Sequence, residues 1–271
     1  MAKKRVANGA PAAEKLGWRL GVQAYTFNRF TFYEAVDKVA SLGLHYIEAY
    51  PGQQVSKKHP EVRTHHDMPP AIRREVRKKL RSAGVQMACY GVVRLRKNEA
   101  ECRKVFDFAK AMGVETIVTE PTRQAFGLLD RLSKEYGITL AIHNHPAPSR
   151  YWSPDILLRA CKGHSRRIGS CADTGHWMRS GVDPVEAIKK LRGRIVSLHM
   201  KDLNEYGREA HDVPWGTGVG ETDAILAELR RQNVEAVFSI EYEYNWYKSV
   251  PDIAKCVRYF NEAAKRLRKA T

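Results

Sequence analysis

Gly137-Ile138-Thr139-Leu140-Ala141-Ile142-His143-Asn144-His145 reads as a hinge, a strand and a reactive tip in nine residues. The segment before it, about Gln124 to Tyr136, has helical spacing. A Gly just past a helix can turn left-handed and satisfy the last carbonyls. A short run rich in β-branched and apolar side chains then begins at once, and it ends in imidazoles. This is one β/α unit, with its polar tip at the carboxyl end of the strand.

The same punctuation recurs along the chain. Its other instances are Gly43-Leu44, Gly84-Val85, Gly113-Val114, Gly163 leading to Ile168, Gly193 leading to Ile195, and Asn233-Val234. Seven junctions and one more strand at the front, Arg19 to Gln23, give eight units. The strand segments are continuous apolar runs, as expected of parallel strands covered by helices. Eight units over ~250 residues predict a closed (β/α)8 TIM barrel of class α/β, a single domain over residues 17–271. An open doubly wound sheet is the rival, but no phosphate fingerprint follows the first strand. Residues 1–16 are rich in Ala, Lys and Gly and read as a flexible leader. They leave the compartment open: cytoplasmic, or exported if they stand where a signal peptide was removed.

Further elements follow from local signals. Thr31 with Glu34 three residues on predicts a capped helix start. Long loops are expected at Ala49 to Pro70 and at Leu203 to Glu221, and loops of that length tend to be functional. Composition is ordinary, 43% hydrophobic and 28% charged, and no apolar run is long enough to span a bilayer. The net charge of +16 is spread over outer helices, for example Arg73, Arg74, Arg77, Lys78, Lys79 and Arg81. That distribution argues against a nucleic-acid surface and for a solvated basic exterior. The five cysteines, an odd count without a CxxC pair, read as buried free thiols. Outer helices and loops can support a homo-oligomer, but no stripe demands one.

In a barrel, chemistry sits at the carboxyl ends of the strands. There the chain offers Glu48, Glu120, His143, Asp173, His199 and Glu241. Asp173, His199 and Glu241 each follow a buried strand directly, and His143 ends the strand before them. Four such groups on consecutive strands suit one divalent ion, with Mn²⁺ expected first and Mg²⁺, Co²⁺ or Zn²⁺ as alternatives. His143 and His145 alternate across Asn144, so one can face an ion while the other faces substrate. Glu120 is a candidate extra ligand, proton carrier or substrate contact, with a salt bridge to Arg123 or Lys201 as the alternative. Lys201, two residues past His199, can neutralise a developing oxyanion. Glu48, His176, Trp177 and Trp215 are the expected substrate contacts. Trp152, Trp246, Tyr25 and Phe27 also fall at or past strand ends, where aromatic faces suit sugar C–H surfaces. The amides of Trp215-Gly216-Thr217-Gly218-Val219-Gly220 can hold a phosphate or hydroxyl at a helix start.

These residues resemble the xylose isomerase-like barrel superfamily, in its sugar phosphate isomerase/epimerase branch. The resemblance rests on Gly21-Val22-Gln23 with Tyr25-Thr26-Phe27, His143-Asn144-His145, Asp173-Thr174-Gly175-His176, His199-Met200-Lys201-Asp202, Gly216-Thr217-Gly218 and Glu241. It implies a divalent ion held by Glu, Asp, His and Glu on strands five to eight. Asp173, His199 and Glu241 match the last three positions, and His143 stands at the first. In the family's ketose epimerases the two Glu ligands also serve as acid and base. Here Glu241 can still abstract a proton, and the second transfer would fall to Glu120, His145 or His143, unless the reaction needs only one base. The implied reaction is proton abstraction beside the carbonyl of a sugar or keto-sugar, as an isomerase or epimerase. Elimination from 3-keto-glycosides by a lyase or hydratase is the alternative. An apurinic-site endonuclease-like enzyme is a third reading; it needs three metals, with Glu48, Glu120 and the His65-His66 loop as the extra ligands.

Overall fold

The computed structural model describes residues 6–269. Eight parallel strands close in chain order: β1 (Arg19–Gln23), β2 (Tyr46–Ala49), β3 (Gln86–Val93), β4 (Thr116–Thr119), β5 (Thr139–His143), β6 (Ile168–Asp173), β7 (Ile195–Met200) and β8 (Val237–Ile240). β8 pairs back onto β1, so no strand edge is left open. The expected (β/α)8 barrel is the observed fold. All seven junction residues carry positive φ, from 53° at Asn233 to 81° at Gly163. The left-handed turn is therefore the device that ends these segments and starts the next strand.

The helices in chain order are α1 (Pro11–Glu14), α2 (Phe32–Ser41), α3 (Pro70–Ala83), α4 (Glu99–Met112), α5 (Phe126–Tyr136), α6 (Pro154–Cys161), α7 (Thr174–Arg179), α8 (Pro184–Lys190), α9 (Thr222–Arg231) and α10 (Val250–Lys269). At the start of α2 the Thr31 hydroxyl accepts from the Glu34 amide, and Glu34 accepts from the Thr31 amide, as the spacing predicts. The apolar faces of the helices cover the barrel. Trp18, Phe238 and Phe260 stack in that layer, with ring centroids 5.1–5.6 Å apart. The five cysteines are buried and free.

Several segments differ from expectation. Residues 6–16 of the expected leader are part of the fold: the Ala12 amide donates to Asn261 Oδ1 of α10 at 2.9 Å, and Ala13 is fully buried. Residues 1–5 of that leader lie outside the described residues. The loop before α3 holds a hairpin, Gln54–Ser56 with His59–Arg63. The loop after β7 holds a two-residue ladder, Asp202–Leu203 with Asp212–Val213. α7 was not expected, because a six-residue helix is too short to show a 3.6-residue period. No helix among the described residues is long and apolar enough to cross a membrane.

Candidate active site at the barrel mouth

Strand register brings the expected groups together. Asp173 and His199 are direct partners across β6 and β7, and Ser239 of β8 is the next partner of His199. A cavity of about 400 Å³ opens above, lined by residues that include Glu120, His143, His145, His176, Glu241 and Glu243.

The centre of the cluster is one oxygen, Asp173 Oδ2. It lies 2.6 Å from Lys201 Nζ, 3.5 Å from His143 Nε2, 3.7 Å from His176 Nε2 and 3.9 Å from His199 Nδ1. Asp173 is fixed from every side. Its other oxygen accepts the His176 amide as the N-cap of α7, at 2.7 Å. Its own amide and carbonyl are bracketed by the side-chain amide of Asn144, at 2.8 and 2.9 Å. Burial pushes this carboxyl up, but the neighbouring His176, Lys201 and His143 outweigh it and hold it well below the usual range.

Lys201 is fully buried and also contacts Glu241 Oε2, with Glu243 at 3.4 Å. Burial opposes its charge, while Asp173, Glu241 and Glu243 hold its pKa well above the ordinary value. Its stem runs over Gly175, where an added Cβ would meet Lys201 Cδ at 2.6 Å and Cβ at 2.7 Å. Glu241 is likewise pushed up by burial and drawn down further by Lys201 and His199, so it stays ionised.

His199 is oriented from beneath. Its Nε2 bonds Glu48 Oε1 at 2.8 Å, and Glu48 also accepts from Gln23 and Ser239. That leaves Nδ1 facing Glu241 Oε2 at 3.2 Å without a hydrogen bond. A carboxylate behind a histidine is the usual support of a metal-binding imidazole. Both ring nitrogens of His143 are also buried without a hydrogen-bond partner. His143, Asp173, His176 and Glu241 bring donor atoms within 4.8 Å of one another, a cluster that can hold a metal ion. The orphaned imidazole nitrogens beside two ionised carboxylates fit that role. His176, however, is turned to another task. Its Nδ1 lies 3.2 Å from Arg179 Nη1, which can only donate, and burial keeps its pKa well below the ordinary value. A neutral ring accepting at Nδ1 carries its proton on Nε2, so it presents a donor to the cavity.

On the rim, His145 Nδ1 lies 2.5 Å from Glu120 Oε1, and its amide bonds the same oxygen at 3.2 Å. Burial pushes the Glu120 carboxyl up, but the neighbouring imidazoles of His143, at 3.7 Å, and of His145, hydrogen-bonded to it, hold it far below the usual range. Glu120 pairs with imidazoles here, not with Arg123 or Lys201.

Other expected site residues are placed elsewhere. Glu48 is 1% exposed and lies under His199, so it is a support and not a substrate contact. Trp177 is fully buried. Trp215 packs edge-on against Phe260 at 5.8 Å. Both belong to packed layers, because large aromatics gain most by full burial. The glycine-rich loop holds no free anion cradle: the amides of Gly216, Gly218 and Gly220 all donate to the Asp202 carboxylate, at 2.8–3.0 Å. His65, His66 and Asp67 form a separate cluster, and its two histidines line an adjoining cavity. At the mouth the aromatic face is Tyr25, with Tyr50 and Trp246 edge-on at 5.1 and 5.8 Å.

Some working residues carried no local signal. Arg179 ties His176, Asp212 and Glu243 together, each at 3.2 Å. Glu243, two residues past Glu241, lines the same cavity and was not singled out in the sequence.

A family profile described as xylose isomerase-like TIM barrel matches residues 36–269. The inosose dehydratase of Bacillus thuringiensis (strain Al Hakam) is 26% identical over 157 residues, 52% of this chain and 51% of that protein. The match thus spans about half the length of that relative. The inosose dehydratase of Clostridium perfringens (strain 13 / Type A) is 23% identical, over 89% of this chain and 90% of its own. Among solved structures, an uncharacterized protein of Parabacteroides distasonis ATCC 8503 superposes with TM-score 0.73 at 31% identity, over 94% of this chain and 100% of that one. A xylose isomerase-like TIM barrel protein of Mycobacterium smegmatis, in complex with magnesium, superposes with TM-score 0.74 at 14% identity, over 92% and 97%; that likeness shows the fold.

Proposed function

The chain belongs to the xylose isomerase-like TIM barrel family, and from that premise we propose that it abstracts a proton beside the carbonyl of a sugar or keto-sugar, as an isomerase or epimerase. The observation that carries this is the composition of one cavity. Its wall carries His143, Glu241 and the Glu120–His145 pair, and beneath that wall buried Asp173, His199 and Lys201 pack against His143 and Glu241.

His143, Asp173, His199 and Glu241 would hold one divalent ion, Mn²⁺ by first expectation, with Mg²⁺, Co²⁺ and Zn²⁺ also suited to these donors. When bound, that ion supplies Lewis-acid polarisation of the substrate carbonyl. The remaining work falls to side chains. Glu241 takes the proton from the carbon beside the carbonyl, and the C–H electron pair becomes the C=C of an enediolate. The Lys201 ammonium lies beside the carboxylates and neutralises charge growing on the oxygen. His176 Nε2–H donates to a hydroxyl. His145, with Nδ1 tied to Glu120, offers Nε2 to carry a proton to or from the opposite end of the substrate. Return of the proton to carbon gives the isomer or epimer.

A second reading is elimination, and one feature favours it. With His143 at the position of the family's first Glu, the two proton carriers are unlike: a carboxylate, Glu241, and an imidazole, His145. A base at the C–H and a separate acid at the leaving oxygen are what loss of water or of an aglycone needs. The inosose dehydratases among the relatives are named for such a loss.

Incubation in D₂O with Mn²⁺ and a panel of ketoses, inososes and 3-keto-glycosides tests the proposal. Deuterium at the carbon beside the carbonyl is the expected result. Release of water or aglycone assigns elimination. No exchange and no release with any compound would overturn both readings.

A further inference from the structure

A second cavity, of about 500 Å³, opens over the exit of β3 and the first turn of α4, and it adjoins the first. The two share Pro51, Val92 and Arg94 in their walls. Arg94 is the residue directly past β3, at the end of the barrel where the chemistry lies. Its exposed guanidinium has no hydrogen bond or ion pair among the described residues. Arg96, two residues on, lines the same cavity, is exposed, and its side chain also has none. Leu95 between them is buried at 3% exposure and turns into the floor. Glu101, an acid on this wall, is already engaged by Lys104 at 2.8 Å.

The floor is apolar: Val93, Leu95, Cys102 and Val105 are all buried. One side carries the imidazoles of His65 and His66, stacked on each other with centroids 3.8 Å apart and tilted by 33°. Such a floor offers a second sugar ring almost no hydrogen bonds, and buried hydroxyls without partners are costly. It suits an apolar or aromatic body. Two unpaired guanidiniums on the rim suit a carboxylate, which each can grip with paired N–H donors.

We propose that this cavity is the subsite for the part of the substrate lying beyond the reacting ring, and that it takes an apolar or aryl group bearing a carboxylate, gripped by Arg94 and Arg96. The identity of the reacting ring rests on the function proposed above; occupancy of the subsite does not.

Benzoate and benzyl alcohol share a ring and differ in charge, so they serve as probes in titration calorimetry or by NMR line broadening. Benzoate is expected to bind the wild-type protein at least tenfold more tightly than benzyl alcohol. In the Arg94→Gln/Arg96→Gln double variant, benzoate affinity falls at least tenfold and that of benzyl alcohol is unchanged. Both positions are exposed, and a circular dichroism melt confirms the fold. Equal affinities in the wild type, or benzoate binding indifferent to the two substitutions, overturns the proposal. Failure of the D₂O exchange assay leaves this result standing, so the two ideas fall separately.

Discussion

Lys201 Nζ lies 2.6 Å from Asp173 Oδ2 and also touches Glu241 Oε2. Asp173 and Glu241 are also two of the residues that would hold a divalent ion. Lysine and metal would therefore compete for the same pair of carboxylates, and Glu243 at 3.4 Å is the acceptor to which the ammonium would retire. Lys201→Met is expected to bind Mn²⁺ about tenfold more tightly, roughly 1.4 kcal/mol. Without metal, the same variant leaves buried carboxylates uncompensated and loses on the order of 3–5 kcal/mol of stability. Chelator-competition titrations and melts with and without Mn²⁺ read both effects; an unchanged metal Kd would refute the competition.

Glu48 acts through His199. Glu48→Gln removes the charge behind Nε2 while keeping its shape and the Gln23 and Ser239 contacts within reach. Loss of such a supporting carboxylate lowers metal affinity by about 10–100-fold. Metal titration should show that loss, with binding of a neutral sugar much less affected. An equal loss in both would mean that Glu48 is needed for the fold and not for the imidazole.

Glu241→Gln should lower deuterium exchange by about 10²–10⁴-fold, the range for removing a general base. His145→Gln and Glu120→Gln should each lower turnover, and the double variant should be little worse than either, because the pair works as a unit. Additive losses would show that Glu120 and His145 act separately.

Asp212 gives the pH dependence a direction. Burial pushes its carboxyl up from 3.8 to about 7, only partly opposed by Lys201 and Arg179. The folded protein therefore holds this proton more tightly than the unfolded chain does. The resulting stability is fully present below the ordinary carboxylate range and is lost as pH rises through about 7. The effect is on the order of a few kcal/mol. Asp212→Asn should flatten that part of the stability curve. Denaturant melts between pH 4 and 8 check it, and a variant curve parallel to the wild type would remove Asp212 as the cause.

The fold was legible because its signal repeats. A left-handed Gly or Asn followed by an apolar run is local physics, and seven copies of it leave little choice of architecture. Asp173, His199 and Glu241 were legible for a related reason: a polar residue directly after a buried strand must sit at the mouth. The partners were not. Whether Glu48 faces substrate or His199 depends on the inward turn of β2, which a polar residue at a strand end does not reveal. Trp177 and Trp215 looked like mouth aromatics because they follow strand ends, yet α7 and the layer around α10 bury them. The loop amides of Gly216, Gly218 and Gly220 looked free because their acceptor, Asp202, lies at least fourteen residues away. Arg179 and Asp212 meet only through the fold.

Gly175 bears on how this centre can evolve. A methyl group there would meet the fixed base of the Lys201 stem, not its swinging tip. One codon change, Gly to Ala, would thus force the lysine from its berth while substituting none of the residues that touch Asp173 Oδ2. A descendant could shed its resident ammonium in one step, leaving Asp173 and Glu241 without their built-in counter-charge.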